Sequence, residues 1–247
     1  MLPVLEVDLG PGVRAGFTTR VGGVSAAPWD ELNLGLGVGD DPAAVRENRA
    51  RVGAWAGAPV AFARQVHGAG VHVLGGPDEA AADAVADADA LVTALRGTAV
   101  GVLVADCVPV LLADAPAGVV AAVHAGRRGL AAGVLQAALA EMVARGADPE
   151  RVRAAVGPAI SGPRYEVPAE MQAQVAALVP EAACTTAWGT PGLDLPAGAA
   201  AVLRRAGVRD VHEPGWCTDT ESRFYSHRRA QRTGGTTGRS AGVVALV

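Results

Sequence analysis

The apolar positions of the chain change period as it runs, and the changes mark out its elements. Residues 14–39, RAGFTTRVGGVSAAPWDELNLGLGVG, begin as a short apolar run and then become dense in Gly and turn formers. That pattern predicts a strand followed by an ordered loop, a kind of segment that often carries function. Asp40, Asp41 and Pro42 then open AAVRENRARVGAWAG. Carboxylates suit the positive end of a helix, proline sits well in its first turn, and Gly57 supplies the stop. Residues 60–74, VAFARQVHGAGVHVL, alternate as a strand does, and the Ala/Asp-rich stretch from Asp78 to Asp89 reads as an exposed loop.

The centre is apolar without alternation. ALVT (90–93), AVGVLVADCVPVLLAD (99–114) and AGVVAAVHAG (117–126) are runs separated by turn residues, as expected for strands buried on both faces. After Gly129, LAAGVLQAALAEMVARG has helical spacing and ends on Gly146, which predicts one continuous helix. A strand at RVRAAVG, helices over 168–178 and 196–206, a polar Arg-rich tail from Glu213 to Arg239 and a last strand at GVVALV complete the reading. No repeat or linker-like stretch divides the chain, so residues 1–247 are expected to form a single α/β domain.

Composition narrows the possibilities. Half of the residues are hydrophobic but only 4% are aromatic, so Ala and Val must build the core from many small, close contacts. The 21 basic and 25 acidic groups give a net charge of -4, which offers no general attraction to nucleic acid or to an anionic membrane. Every basic residue is Arg, which excludes Schiff-base catalysis by lysine. The start is acidic, and no apolar run approaches the roughly 20 residues that span a bilayer; a cytoplasmic protein is expected. Cys107, Cys184 and Cys217 are odd in number and widely spaced, which argues against a disulfide framework.

Two of the residues able to bind a metal stand at the ends of apolar runs. Cys107 follows VGVLVAD and His124 follows GVVAAV, so both are expected at the ends of neighbouring buried strands, where open sheets place their sites. His67, in ARQVHG, must arrive from elsewhere, because separations of 40 and 17 residues match no local metal motif. Taken singly, each is an ordinary interior thiol or imidazole. Polar neighbours raise the joint reading: Asp106 beside Cys107, Gln65 near His67, and Arg127 with Arg128 after His124.

The motifs ARQVHG, ADALVT, VADCVPVLLAD, VHAGRRGL, GPAISGPRYEV and FYSHRR with TGR resemble, in order, those of the YfiH-type family. That family was formerly labelled multicopper polyphenol oxidoreductase (laccase) and is now regarded as zinc-dependent purine nucleoside phosphorylases with adenosine deaminase side activity. The resemblance runs from Phe17 to Arg239. It implies a YfiH-like α/β domain with mixed β-sheets layered between helices, and metal ligands at His67, Cys107 and His124. Two imidazoles and a thiolate leave a fourth tetrahedral position open, as in catalytic zinc sites. It also implies purine nucleosides and inorganic phosphate as substrates. The family usually reads HAGWRG where this chain has Arg127 in place of Trp, and Ser161 and Arg164 stand where relatives commonly carry Cys, so no thiol acts there.

Around the ligands, Asp106 is a candidate for proton transfer. Arg128 is read as preceding a helix, where unpaired amides and the dipole favour phosphate. Arg20, Asn33, Arg64 and Gln65 are candidates for substrate contact, Gln65 through a purine edge. His72, His212 and His227 are read as structural or surface residues, and Cys184 and Cys217 as non-catalytic thiols. Three rival functions remain. A multicopper phenol oxidase needs about ten or more His and Cys ligands, whereas the chain has five His and three Cys. A hydrolase with Cys107 as nucleophile and His124 as base needs no metal. A non-catalytic metal- or nucleotide-binding regulator would bind without turnover.

Overall fold

The computed structural model describes residues 2–247. The elements are β1 (Val4–Glu6), β2 (Val13–Thr18), α1 (Pro42–Ala56), β3 (Val60–Phe62), β4 (Val71–Val73), β5 (Ala90–Thr93), β6 (Ala99–Val104), β7 (Val108–Asp114) and β8 (Val119–Ala125). They continue with α2 (Arg127–Ala131), α3 (Val134–Val143), β9 (Arg153–Val156), α4 (Ala169–Ala176), β10 (Ala183–Thr185), β11 (Pro191–Leu193), α5 (Leu195–Arg205), β12 (Asp210–His212), α6 (His227–Arg232) and β13 (Ser240–Leu246).

The long strands fall into two mixed sheets, ordered β1-β2-β13-β6-β3 and β12-β9-β7-β8-β5-β4, with β10 and β11 as a separate ribbon. Successive side chains of a strand point to opposite faces, and here each face has a partner. Phe17, Val100, Val102, Leu91, Leu111 and Val120 fill the layer between the sheets. Val110, Leu112 and Val123 on the other face of the second sheet pack under Leu135, Leu139 and Leu203 of α3 and α5. Val60, Phe62 and Val243 of the first sheet pack under Val52 and Ala56 of α1. The result is helix, sheet, sheet, helix, the layered α/β arrangement expected. It also explains the unbroken apolar runs, although β7 pairs antiparallel with both β8 and β9 and the sheets are not parallel.

Helix α1 matches its sequence signals end to end. Asp41 caps it by accepting from the Ala43 amide at 2.9 Å, and Gly57, at φ 75, closes it through the Gly53 carbonyl; a cap of this kind contributes about 0.5–2 kcal/mol. The helix expected after Gly129 is instead two. Gly133 adopts φ 86, a left-handed conformation open to glycine at little cost, and separates the five-residue α2 from α3. The single run AVGVLVADCVPVLLAD is likewise two strands in different sheets, because residues 105–107 cross from β6 to β7. Cys107 and His124 do stand at neighbouring strand ends, but through β7, which begins just after Cys107 and pairs with β8; the run before Cys107 is β6, in the facing sheet. The tail contains α6, which its polar composition did not signal, and the short β12 just ahead of the tail was likewise not expected. No helix among the described residues is long and apolar enough to cross a membrane.

Candidate metal centre

Strand register brings three distant residues together at one end of the sheets. β5 pairs with β8 so that Ala90 faces Val123, which sets Asp89 beside His124. The His124 amide donates to the Asp89 carbonyl at 2.7 Å, and His124 Nδ1 lies 2.8 Å from Asp89 Oδ1. An ionised carboxylate only accepts, so Nδ1 carries a proton, and Nε2 is the nitrogen turned to Cys107 that can bind a metal once its own proton is displaced. β7 pairs with β8 with Val108 opposite Ala125, which brings Cys107, one residue ahead of β7, to the end of β8.

His67 arrives on the loop between β3 and β4, and the same carboxylate fixes it. Asp89 accepts from the amides of Val66 at 3.2 Å, His67 at 2.9 Å and Gly68 at 2.7 Å. Consecutive amides closing on one anion form a cradle, and the chain achieves it with a left-handed residue at His67, φ 60. Among the described residues, only His67 and Asp106, at φ 90, are non-glycine residues with positive φ. Both belong to this site, as is common for backbone strain held at functional positions.

The ligand atoms of His67, Cys107 and His124 lie within 4.8 Å of one another. Cys107 Sγ is 4.0 Å from His67 Nε2, and the two imidazoles stand edge to face with centroids 4.9 Å apart. Gly126 makes the crowding feasible: a Cβ there would sit 3.1 Å from His67 Cδ2, 3.2 Å from Cys107 Sγ and 3.4 Å from His124 Cε1. Two imidazoles and a thiolate on one side of a cavity, one ring oriented by a carboxylate behind it, suit a tetrahedral metal with an open position. The residues present fit a divalent ion. Gly126→Ala is expected to weaken metal binding by about ten-fold, the lower range for disturbing a ligand's support, with little change in the melting temperature of metal-free protein. Competition against a chromogenic chelator measures this; an unchanged affinity would show that the ligands tolerate the added methyl.

The charges within the group are coupled. Burial pushes the Cys107 thiol up, but hydrogen bonds from His124 and His67 outweigh it and bring the thiol down to about 6. Burial pulls His124 down, while Asp89 and Cys107 together raise it to about 9. Asp89 is pushed up by burial and held below its ordinary value by His124 and the Gly68 and His67 amides. A thiolate is thus favoured before any ion binds.

A cavity of about 680 Å³ opens over this centre, lined by His67, Cys107 and His124 together with Leu36, Val38, Leu103, Gln65, His227 and Arg239. Gly35, Gly37 and Val38 bring the glycine-rich loop of the first fifty residues to its wall. The other residues singled out in the sequence are distributed unevenly around it. Gln65 lines the cavity, but its amide is spent on the Leu103 backbone, donating to the carbonyl and accepting from the N–H, both at 2.8 Å. It ties the His67 loop to β6. Arg64 lines the exposed rim and pairs with Asp87 through its Nε and Nη2.

Asp106 accepts from the Thr218 hydroxyl and from the Arg228 amide, both at 2.6 Å, so its two oxygens brace the turn into α6. Asn33 is fully buried and holds Asp40 and the Arg239 amide. Arg20 is engaged with Asp30 and lies over the Tyr225 ring; it is not among the residues lining the cavity. Arg128 is also outside the lining and lies exposed in the first turn of α2 rather than ahead of it.

Three residues of the site were not picked out by sequence reasoning. Asp89 belongs to a stretch read as exposed, yet is fully buried; the available signal was a carboxylate abutting the apolar run ALVT. His227 was read as a surface residue and Arg239 only as part of a motif, and both line the cavity. Beside the centre, Arg228 lies 5.0 Å over the Tyr165 ring. Burial pushes the Tyr165 phenol up, offset in part by the nearby Arg127.

A family profile described as "Multi-copper polyphenol oxidoreductase laccase" matches residues 14–247. A Streptomyces griseus protein named a purine nucleoside phosphorylase is 53% identical over 233 residues, 93% of each chain. A Mycobacterium tuberculosis protein of the same enzyme name is 50% identical over 225 residues, 90% of this chain and 89% of its own. Among solved structures, a Neisseria meningitidis protein superposes with a TM-score of 0.86 at 40% identity, covering 98% of both chains. A hypothetical protein YfiH of Bacillus licheniformis superposes at 0.87 with 31% identity, covering 95% of this chain and 93% of its own.

Proposed function

Because the chain belongs to the family described as multi-copper polyphenol oxidoreductase laccase, we propose that it is a zinc-dependent purine nucleoside phosphorylase of that family and not a copper oxidase. The observation that carries the choice is the donor set. One group of three, His67, Cys107 and His124, is the metal-binding cluster among the described residues, and a mononuclear copper with a trinuclear cluster needs about ten or more ligands. A thiolate with two imidazoles suits zinc. The names of the relatives in Streptomyces griseus and Mycobacterium tuberculosis support the reaction.

The substrates are adenosine, inosine or guanosine, with methylthioadenosine a further candidate. A phosphate oxygen forms a bond to the anomeric carbon as the glycosidic bond to the purine nitrogen breaks; the base leaves with the electron pair and takes up a proton, and ribose 1-phosphate remains. A cavity of about 680 Å³ lies within the roughly 300–1,000 Å³ typical of small-molecule sites. Leu36, Val38 and Leu103 provide apolar walls for a purine. Zinc, when bound, supplies Lewis-acid polarisation. The chain's own residues orient it: Asp89 fixes the His124 tautomer, and Gln65 anchors the loop that carries His67. Adenosine deamination is assigned to the same site as a side activity.

With inosine in phosphate-free buffer, release of hypoxanthine is expected to be almost nil. Added phosphate should restore it with saturation, with ribose 1-phosphate formed in equal yield. Free ribose as the product, or release indifferent to phosphate, would refute phosphorolysis.

A second reading has one observation in its favour. Asp89, His124 and Cys107 stand in the order acid, base, nucleophile, with the thiol held at about 6, which is how a cysteine hydrolase activates sulfur. Chelation separates the two. Removing zinc stops the phosphorylase, whereas a thiolate hydrolase keeps working and is stopped by iodoacetamide.

A further inference from the structure

Among the described residues, the cavity wall contains three arginines, and only one of these keeps its binding edge open. Arg49 donates to the Leu34 and Asp83 carbonyls at 3.0 and 2.9 Å and lies over the Phe62 ring. Arg64 presents its Nε and Nη2 edge to Asp87. Arg239 donates only from Nη1, to the carbonyls of Thr237 and Gly238 at 3.1 and 3.0 Å. Among the described residues, its Nε and Nη2 make no hydrogen bond and no carboxylate pairs with it. That edge presents two parallel N–H groups, matched to two oxygens of one anion.

The surroundings hold Arg239 in place without neutralising it. Its amide donates to Asn33 Oδ1 at 2.8 Å, and its carbonyl accepts from Leu34 at 3.1 Å. Gly35 makes room for its stem, since a Cβ there would lie 2.7 Å from Arg239 Cγ. Burial lowers the guanidinium, and the opposing negative groups are Cys107 and Asp106. The first is a ligand in the proposed site, and the second spends both oxygens on Thr218 and Arg228. A half-buried cation left in this state has a place for an incoming anion.

We propose that Arg239 is the anion-binding residue of the cavity and takes the inorganic phosphate consumed in the reaction, with His227, which also lines the cavity, as a second donor. The identity of the anion rests on the phosphorylase reading; the subsite rests on the geometry. This places phosphate in the cavity that holds the metal ligands and not at Arg128. Arg239→Lys keeps the charge but loses the paired edge, so it should recover only part of the function.

The test uses metal-loaded protein and inorganic phosphate. Arg239→Gln should raise the KM for phosphate about ten- to a hundred-fold, the scale of a lost charge-assisted pair, with the KM for inosine nearly unchanged and zinc content retained. Phosphate alone should raise the melting temperature of the wild type and not that of Arg239→Gln. Wild-type values for both in Arg239→Gln would overturn the proposal, as would a raised phosphate KM in Arg128→Gln with none in Arg239→Gln. If the wild type shows no phosphorolysis at all, the function reading falls by itself. The thermal shift then decides the subsite: a shift lost in Arg239→Gln supports it, and an equal or absent shift overturns it.

Discussion

Cys107→Ala is expected to lose its metal and its turnover together while keeping its fold. The side chain is half-buried in the crossover between β6 and β7, and its contacts are with the two imidazoles, so removing sulfur leaves no structural bond unmade in the sheets. It does remove the only thiolate of the set. Two imidazoles cannot complete the three-residue set of a catalytic zinc site, and the affinity loss should exceed the roughly 10–100-fold that follows loss of an outer partner. Lewis-acid stabilisation worth several kcal/mol corresponds to about three orders of magnitude in rate. Elemental analysis should give about one zinc per wild-type chain and almost none for Cys107→Ala. Cys184→Ala and Cys217→Ala should behave as wild type, because those thiols lie outside the cluster. An active Cys107→Ala protein, or several coppers per wild-type chain, would sink the assignment.

Asp89→Asn should weaken metal binding and the fold at the same time, which Cys107→Ala is not expected to do. The carboxylate is fully buried and satisfies four donors: three amides of the His67 loop and His124 Nδ1. An Asn amide keeps the shape but turns one oxygen into a donor, so at least one buried N–H faces another. A buried donor left without an acceptor costs about 1–3 kcal/mol, and a disturbed support for two ligands should lower metal affinity about 10–100-fold. The pH dependence gives a second readout in metal-free protein. Asp89 is held below its ordinary carboxylate value, so its contribution is present above the unfolded-state pKa and is lost as pH falls through the depressed folded value. The stability difference between wild type and Asp89→Asn should be widest near neutrality and shrink in acid. A difference independent of pH would show that the carboxylate's charge is not what holds the loop.

The two variants separate what a ligand does from what a support does. Cys107 can be removed with the sheets intact because it sits where the chain passes between them. Asp89 cannot, because register at β5 and β8 makes one residue serve the strand, the loop and the imidazole.

Legibility in the sequence follows the range of the interactions. Helix α1 was readable in full, since its cap Asp41, its proline and its closing Gly57 act within one turn of the elements they bound. The apolar runs of β5 to β8 were readable because burial on both faces leaves no alternation. His67, Cys107 and His124 could be singled out by residue type and polar neighbours, but only the resemblance joined them as one candidate ligand set, since their separations carry no local geometry.

What the sequence determined by itself, then, was the elements with local signals and the residue types able to bind a metal. Tertiary structure decided the rest. That β6 and β7 lie in different sheets depends on pairings of β6 with β13 and of β7 with β9, between segments far apart in the chain. The burial of Asp89 depends on four donors from two other segments, without which a carboxylate in that position would stay in water. Arg128 was read next to a helix start, yet α2 carries it to the surface, while Arg239, over a hundred residues later, reaches the cavity because Asn33 and the Gly35 loop hold it there. Periodicity records which way a side chain faces within its own element; which element stands opposite is set by register and burial, and those are properties of the whole fold.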